Sequence, residues 1–214
     1  MSIDFAKIAL VLVISVFSVI LHELAHGLMA YALGDKTAKM SGRLTLNPLK
    51  HIDPFMSILV PVMLALIGAP IFGGAKPVPI DTRNLKWREW GFALVALAGP
   101  LTNFILAFLF FLVGYLSGEM LISGSMLGTV CITGMYLNIG FMLFNLIPIP
   151  PLDGSRVLYA FAPDGFRNFM RQLESYGLIV IYILILLGGS LLSSYMANGQ
   201  LAVVDFFCWI VGAR

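Results

Sequence analysis

Long apolar runs recur along this chain, each separated from the next by a polar segment marked with glycine or proline. At about 1.5 Å rise per residue, some 20 apolar residues cross a hydrocarbon core of roughly 30 Å. The pattern predicts such helices over about 5–33, 90–117, 125–147 and 176–195. A last run, 201–211, is short and carries Asp205. The apolar run 54–71 is interrupted by Pro54, Pro61 and Pro70, which favours a broken, re-entrant element over a straight crossing. The polar stretch 34–53 alternates around Arg43-Leu44-Thr45-Leu46 and predicts a short β-hairpin or loop. Residues 156–175 are polar and predict a short interfacial helix. The fold expected is an all-α polytopic membrane protein of about four to six membrane helices, with a re-entrant hairpin or loop and a re-entrant helix at 54–71. A single domain over 1–214 is expected, with a core at about 5–157 and C-terminal helices over 158–214.

Composition sharpens this. The chain is 59% hydrophobic and only 11% charged, where soluble domains carry about 25% charged residues. A net charge of +2 gives no footprint for nucleic acid. Cys131 and Cys208 lie in separate apolar runs and read as small buried residues, not as a disulfide or metal pair. The N-terminal run carries the chemistry described next, so it reads as a retained helix and not a cleaved signal. If 54–71 dips in and returns, eleven of the thirteen basic residues fall on one face, in segments 36–50, 76–88 and 156–171. The positive-inside rule makes that face cytoplasmic and places the N-terminus outside, and the membrane expected is a bacterial or archaeal cell membrane.

The run from Ile8 to Gly34 contains His22-Glu23-Leu24-Ala25-His26, its only charged or imidazole side chains. Such groups are expensive in a bilayer, so a cluster of them marks a functional site. On a helix, histidines at i and i+4 share a face and can hold one zinc ion, with the intervening glutamate as general base. Catalytic zinc takes a third protein ligand. Asp153, His51, Asp53 and Asp205 are the candidates. Asp153 follows a membrane helix on a proline-stiffened turn, Pro148-Ile149-Pro150-Pro151-Leu152, with Gly154 behind it. His51 sits beside Lys50 in a polar loop, and Asp53 precedes Pro54 as a turn or cap residue would.

HELAH in a membrane helix, Ala98-Gly99-Pro100 with Asn103, and Asn145 followed by Leu152-Asp153-Gly154 together resemble the site-2 protease family of intramembrane zinc metalloproteases. The likeness runs from about residue 17 to 157, without an appended PDZ or CBS domain. It implies one Zn2+ per chain held by His22, His26 and Asp153, with Glu23 as catalytic base. Asn145 and Asn103 correspond to polar positions near the site and are the candidates for binding substrate, Asn145 being the one the family associates with substrate handling. It also implies a hairpin re-entering the membrane over 35–51, and transmembrane or membrane-associated proteins as substrates. The competing reading is a non-catalytic membrane protein that binds metal or helices. A transporter would show paired repeats and ionisable groups spread over several helices, and neither is evident.

Overall fold

The computed structural model describes residues 5–51, 76–122 and 124–213. Among them the helices are α1 (Phe5–Ala32), the single turn α2 (Thr37–Met40), α3 (Glu89–Ser117), α4 (Met126–Asn145), α5 (Asp153–Phe161), α6 (Asp164–Ser175) and α7 (Leu178–Ile210). Among the described residues, four segments are long and apolar enough to cross a membrane: Ile8–Ala32, Glu89–Ser117, Met126–Asn145 and Ile179–Ile210. The protein is therefore an all-α polytopic membrane protein. The element expected at 54–71 and the candidate Asp53 lie outside the described residues.

α3 is the hub, packing against α1, α4 and α5, while α4 also packs against α7. Apolar burial gives little drive between helices in lipid, so close packing rests on small residues that let backbones approach. A Cβ on Gly134 would lie 2.6 Å from the Phe110 ring, and one on Gly114 would lie 2.4 Å from Met120. Where α3 and α4 meet α7, Phe111, Met135, Ile139 and Leu143 enclose Phe207, whose ring sits 5.1–5.5 Å from those of Phe104, Phe108 and Phe111. α3 stops where Gly118 takes a left-handed φ of 71°, and Ser125 caps α4 by accepting the Gly128 amide at 2.9 Å.

Three expectations are corrected. The runs at 176–195 and 201–211 form one helix, α7, because Ala197-Asn198-Gly199-Gln200 contains no proline to interrupt it. Packing also holds that polar junction, since Gly199 abuts Leu143 and the Tyr195 hydroxyl donates to the Leu143 carbonyl. The expected hairpin over 35–51 contains no strand. Side chains bind its backbone instead of a facing strand. Asn47 caps a 3-10 turn by accepting the Leu49 amide, and His51 Nε2 bonds the Thr45 carbonyl at 2.8 Å. Arg43 reaches forward to the Lys76 and Pro77 carbonyls at 2.5 and 3.3 Å. The expected interfacial helix at 156–175 is two helices, α5 and α6, divided at Pro163.

Candidate active site

α1 sets His22 and His26 one turn apart on the face turned to α3, both buried. Their Nε2 atoms lie 3.0 Å apart. Asp153 Oδ2 lies 3.2 Å from one and 3.3 Å from the other. Asp153 is the first residue of α5, immediately after the proline turn. Gly154 allows this placement, because a Cβ there would lie 2.2 Å from the Leu146 carbonyl oxygen at the end of α4.

The opposite ring nitrogens are spoken for. His26 Nδ1 bonds the Val95 carbonyl at 2.8 Å, and His22 Nδ1 bonds Asn103 Oδ1 at 2.6 Å. Asn103 in turn donates through Nδ2 to Asn138 Oδ1 at 2.9 Å, and Asn138 donates to the Gly134 carbonyl at 2.9 Å. A carbonyl only accepts, so both Nδ1 atoms carry the proton and both Nε2 atoms present lone pairs. With the carboxylate oxygen, which is buried and has no hydrogen-bond partner, three acceptors converge with no donor between them.

That donor set fits zinc. Ligands about 2.0–2.1 Å from a tetrahedral zinc lie roughly 3.3 Å apart, near the separations found here. Among the described residues this is the cluster of histidine, cysteine and acidic side chains able to hold a metal ion. It is hemmed in by Gly99, where a Cβ would lie 2.5 Å from the His26 ring and 2.6 Å from that of His22. The next residue, Pro100, cannot donate to Ala96 and crowds its carbonyl, and Val95, one residue before Ala96, offers its carbonyl to His26. Gly99, Pro100 and Asn103 thus act on one face of α3.

Glu23 is half-buried beside the cluster, and its Oε2 accepts the Val78 amide at 2.9 Å. Pro77 and Pro79 lack amide hydrogens, so Val78 supplies the sole N–H of that three-residue stretch. The extended strap 76–81 that carries it is tied at both ends. The Lys76 amide donates to the His51 carbonyl at 2.8 Å, and the Asp81 amide donates to Asp35 Oδ2 at 2.7 Å. Burial pushes the Asp35 carboxyl up. Bonds from the Thr37 hydroxyl and the Asp81 and Thr37 amides outweigh it and hold the pKa below the ordinary carboxylate value.

A cavity of about 390 Å³ joins these parts, lined by His22, Glu23, His26, Asn145 and Asp153 together with Pro77 and Val78 of the strap. Arg156 and Glu174 pair across its edge, with the guanidinium over the Phe92 ring at 4.9 Å. Asn145 faces the cavity, its Nδ2 bonded to the Phe141 carbonyl. Asn103 is wholly buried behind His22 and does not line it. His51 is held by Thr45, and Asp205 is exposed on α7; neither joins the metal cluster. Sequence reasoning missed the Val95 carbonyl, which has no residue signature, and the Val78 amide. It also missed Asn138, whose signal was visible as the sole side-chain amide before Asn145 in α4.

The chain matches the model of Peptidase family M50 over residues 8–188. It is 42% identical to YwhC of Bacillus subtilis (strain 168), a protein provisionally named a zinc metalloprotease, over 90% of this chain and 88% of that one. Rip2 of Mycolicibacterium smegmatis, provisionally named in the same way, is 29% identical over 79% of this chain and 63% of that protein. MJ0611 of Methanocaldococcus jannaschii, again so named, is 48% identical over 66 residues, 30% of this chain and 31% of that one. No solved structure matches at a comparable level.

Proposed function

The chain belongs to Peptidase family M50, and from that membership we propose that it is a zinc metalloendopeptidase working inside the membrane, hydrolysing peptide bonds within or near transmembrane segments of other proteins. The observation that carries the reading is the convergence of His22 Nε2, His26 Nε2 and Asp153 Oδ2 beside Glu23, a base that lines the same cavity as the ligands. The three ligands would hold the zinc. When bound, zinc acidifies water and polarises a carbonyl.

Glu23 does the proton work. Val78 holds Oε2, which orients the carboxylate and leaves Oε1 to take a proton from the attacking water and return it to the leaving amine. A helical substrate has its carbonyls tied to its own amides and must unwind first. Asn145, on the cavity wall, is placed to hydrogen-bond the freed backbone. Asn103 is placed to hold the His22 ring and not to touch substrate. The basic segments 36–50, 76–88 and 156–171 support a cell membrane with the active site nearer the cytoplasm.

The test is Glu23→Gln. The variant keeps all three ligands, so it should bind zinc with wild-type stoichiometry and lose cleavage of a single-span substrate in detergent or liposomes. Wild-type turnover by this variant would overturn the mechanism.

A further inference from the structure

We propose that Asn138 is a positioning residue for the metal centre, which it reaches through Asn103. The inference rests on the zinc-peptidase reading and deepens it by assigning how the ligand face of His22 is selected. Asn138 is fully buried in the middle of a membrane-spanning segment, as is Asn103 opposite it on α3. Each amide has two ends, and a side-chain amide in isolation can present either. Here the ambiguity is removed at one point.

The Gly134 carbonyl can only accept, so Asn138 must turn its NH2 towards it and its oxygen towards α3. That oxygen admits only the NH2 of Asn103, at 2.9 Å. The remaining Asn103 oxygen then faces His22 and demands a proton on Nδ1, at 2.6 Å. The Nε2 lone pair is left pointing at Asp153 and His26. A backbone carbonyl of α4 thereby sets the tautomer of a ligand on α1 through two side chains. His26 needs no such chain, since the Val95 carbonyl specifies its tautomer directly. Gly134 serves the geometry twice, by its carbonyl and by lacking a Cβ against Phe110, which keeps α4 close to α3.

An ordinary interhelical hydrogen bond would also join Asn103 to Asn138, and non-additivity separates the two roles. Zinc affinity is measured by chelator competition on full-length wild type, Asn103→Leu, Asn138→Leu and the double variant, with melting temperature recorded for each. Outer partners of metal-bound histidines typically account for 10–100-fold in metal affinity. Asn103→Leu should weaken zinc binding within that range and Asn138→Leu by about 10-fold. The double variant should be no weaker than Asn103→Leu alone, because Asn138 has no route to His22 except through Asn103. The cobalt-substituted Asn138→Leu protein should show an altered visible spectrum. An unchanged zinc affinity in Asn138→Leu, or losses that multiply in the double variant, would overturn the proposal.

A second measurement needs no variant. Long-range nitrogen–proton correlation on the His22 ring of zinc-loaded wild type should show the proton on Nδ1 and the metal on Nε2. The reverse would also overturn it. Failure of wild type to bind one zinc would instead remove the peptidase reading itself, a result distinct from either.

Discussion

α3 and α7 have the same mean hydropathy, 2.1 over their most apolar windows, yet 44% of that window is buried in α3 and 6% in α7. One is the hub of the catalytic half, the other a helix whose flank is left to lipid. Hydropathy reports that a segment tolerates hydrocarbon and says nothing about what it faces. The difference lies in residue size and polarity. α3 buries Gly91, Ala93, Ala96, Gly99, Asn103, Ala107 and Gly114 along its packed side. α7 exposes Ile179, Leu186, Leu187 and Leu191. Along α3 the small residues mark where a membrane helix lets its neighbours approach closely.

The largest test of this contrast removes an acidic side chain from each half. Asp153→Ala should lose both zinc and proteolysis, since two histidines alone leave the site under-coordinated. Asp205→Ala, on α7, should keep both. Metal analysis and a gel-shift assay on purified protein check the pair, and zinc loss in Asp205→Ala would break the comparison.

The next test sets glycine against glycine. Gly99→Leu places side-chain atoms where the imidazoles lie and should reduce zinc stoichiometry to a small fraction of wild type. Gly189→Leu has nothing within 4 Å of its Cβ position and should bind zinc and cleave as wild type does.

A smaller effect is expected where α7 does touch protein. Phe207→Ala opens a cavity among Phe104, Phe108 and Phe111 and should cost about 3 kcal/mol in a reversible unfolding measurement. Leu187→Ala, 84% exposed, should stay within roughly 0.5 kcal/mol. Equal losses would mean that α7 is packed more extensively than its lipid-facing flank implies.

The smallest effect concerns the strap over the catalytic half. The Asp35 carboxyl titrates below its ordinary value, so its contribution is fully present above the unfolded-state pKa and disappears as pH falls through the folded one. Melting temperature should therefore drop on acidification more steeply in wild type than in Asp35→Asn, with little difference between the two slopes near neutrality.

The spans were legible because length and apolarity are summed over twenty residues, and α1, α3 and α4 end within about two residues of the ends expected from the sequence. The continuity of α7 was not, because a polar junction looks like a break until Leu143 is seen to pack against Gly199. The hairpin failed for a related reason. Alternation at 43–46 fits a hairpin or a loop equally, and the loop is found because Arg43 is turned inward to hold the strap. Of the site, His22, Glu23 and His26 were readable from type and spacing, Asp153 was one of four candidates that the family resemblance singled out, and the structure brings His22, His26 and Asp153 together. What orients them was mostly hidden. Val95 acts through its backbone, Val78 through an amide, and Asn103 through a partner 35 residues further on.

The two prolines around Val78 have a consequence for observing the enzyme at work. Deuterium cannot enter at Pro77 or Pro79, so within that stretch isotope uptake registers at Val78 alone, on the hydrogen held by Glu23. Its exchange rate is therefore a single-site clock on the carboxylate. Whenever Glu23 Oε2 lets go of the Val78 amide this hydrogen opens to solvent, so slow uptake of label at Val78 reports a carboxylate held in its orientation.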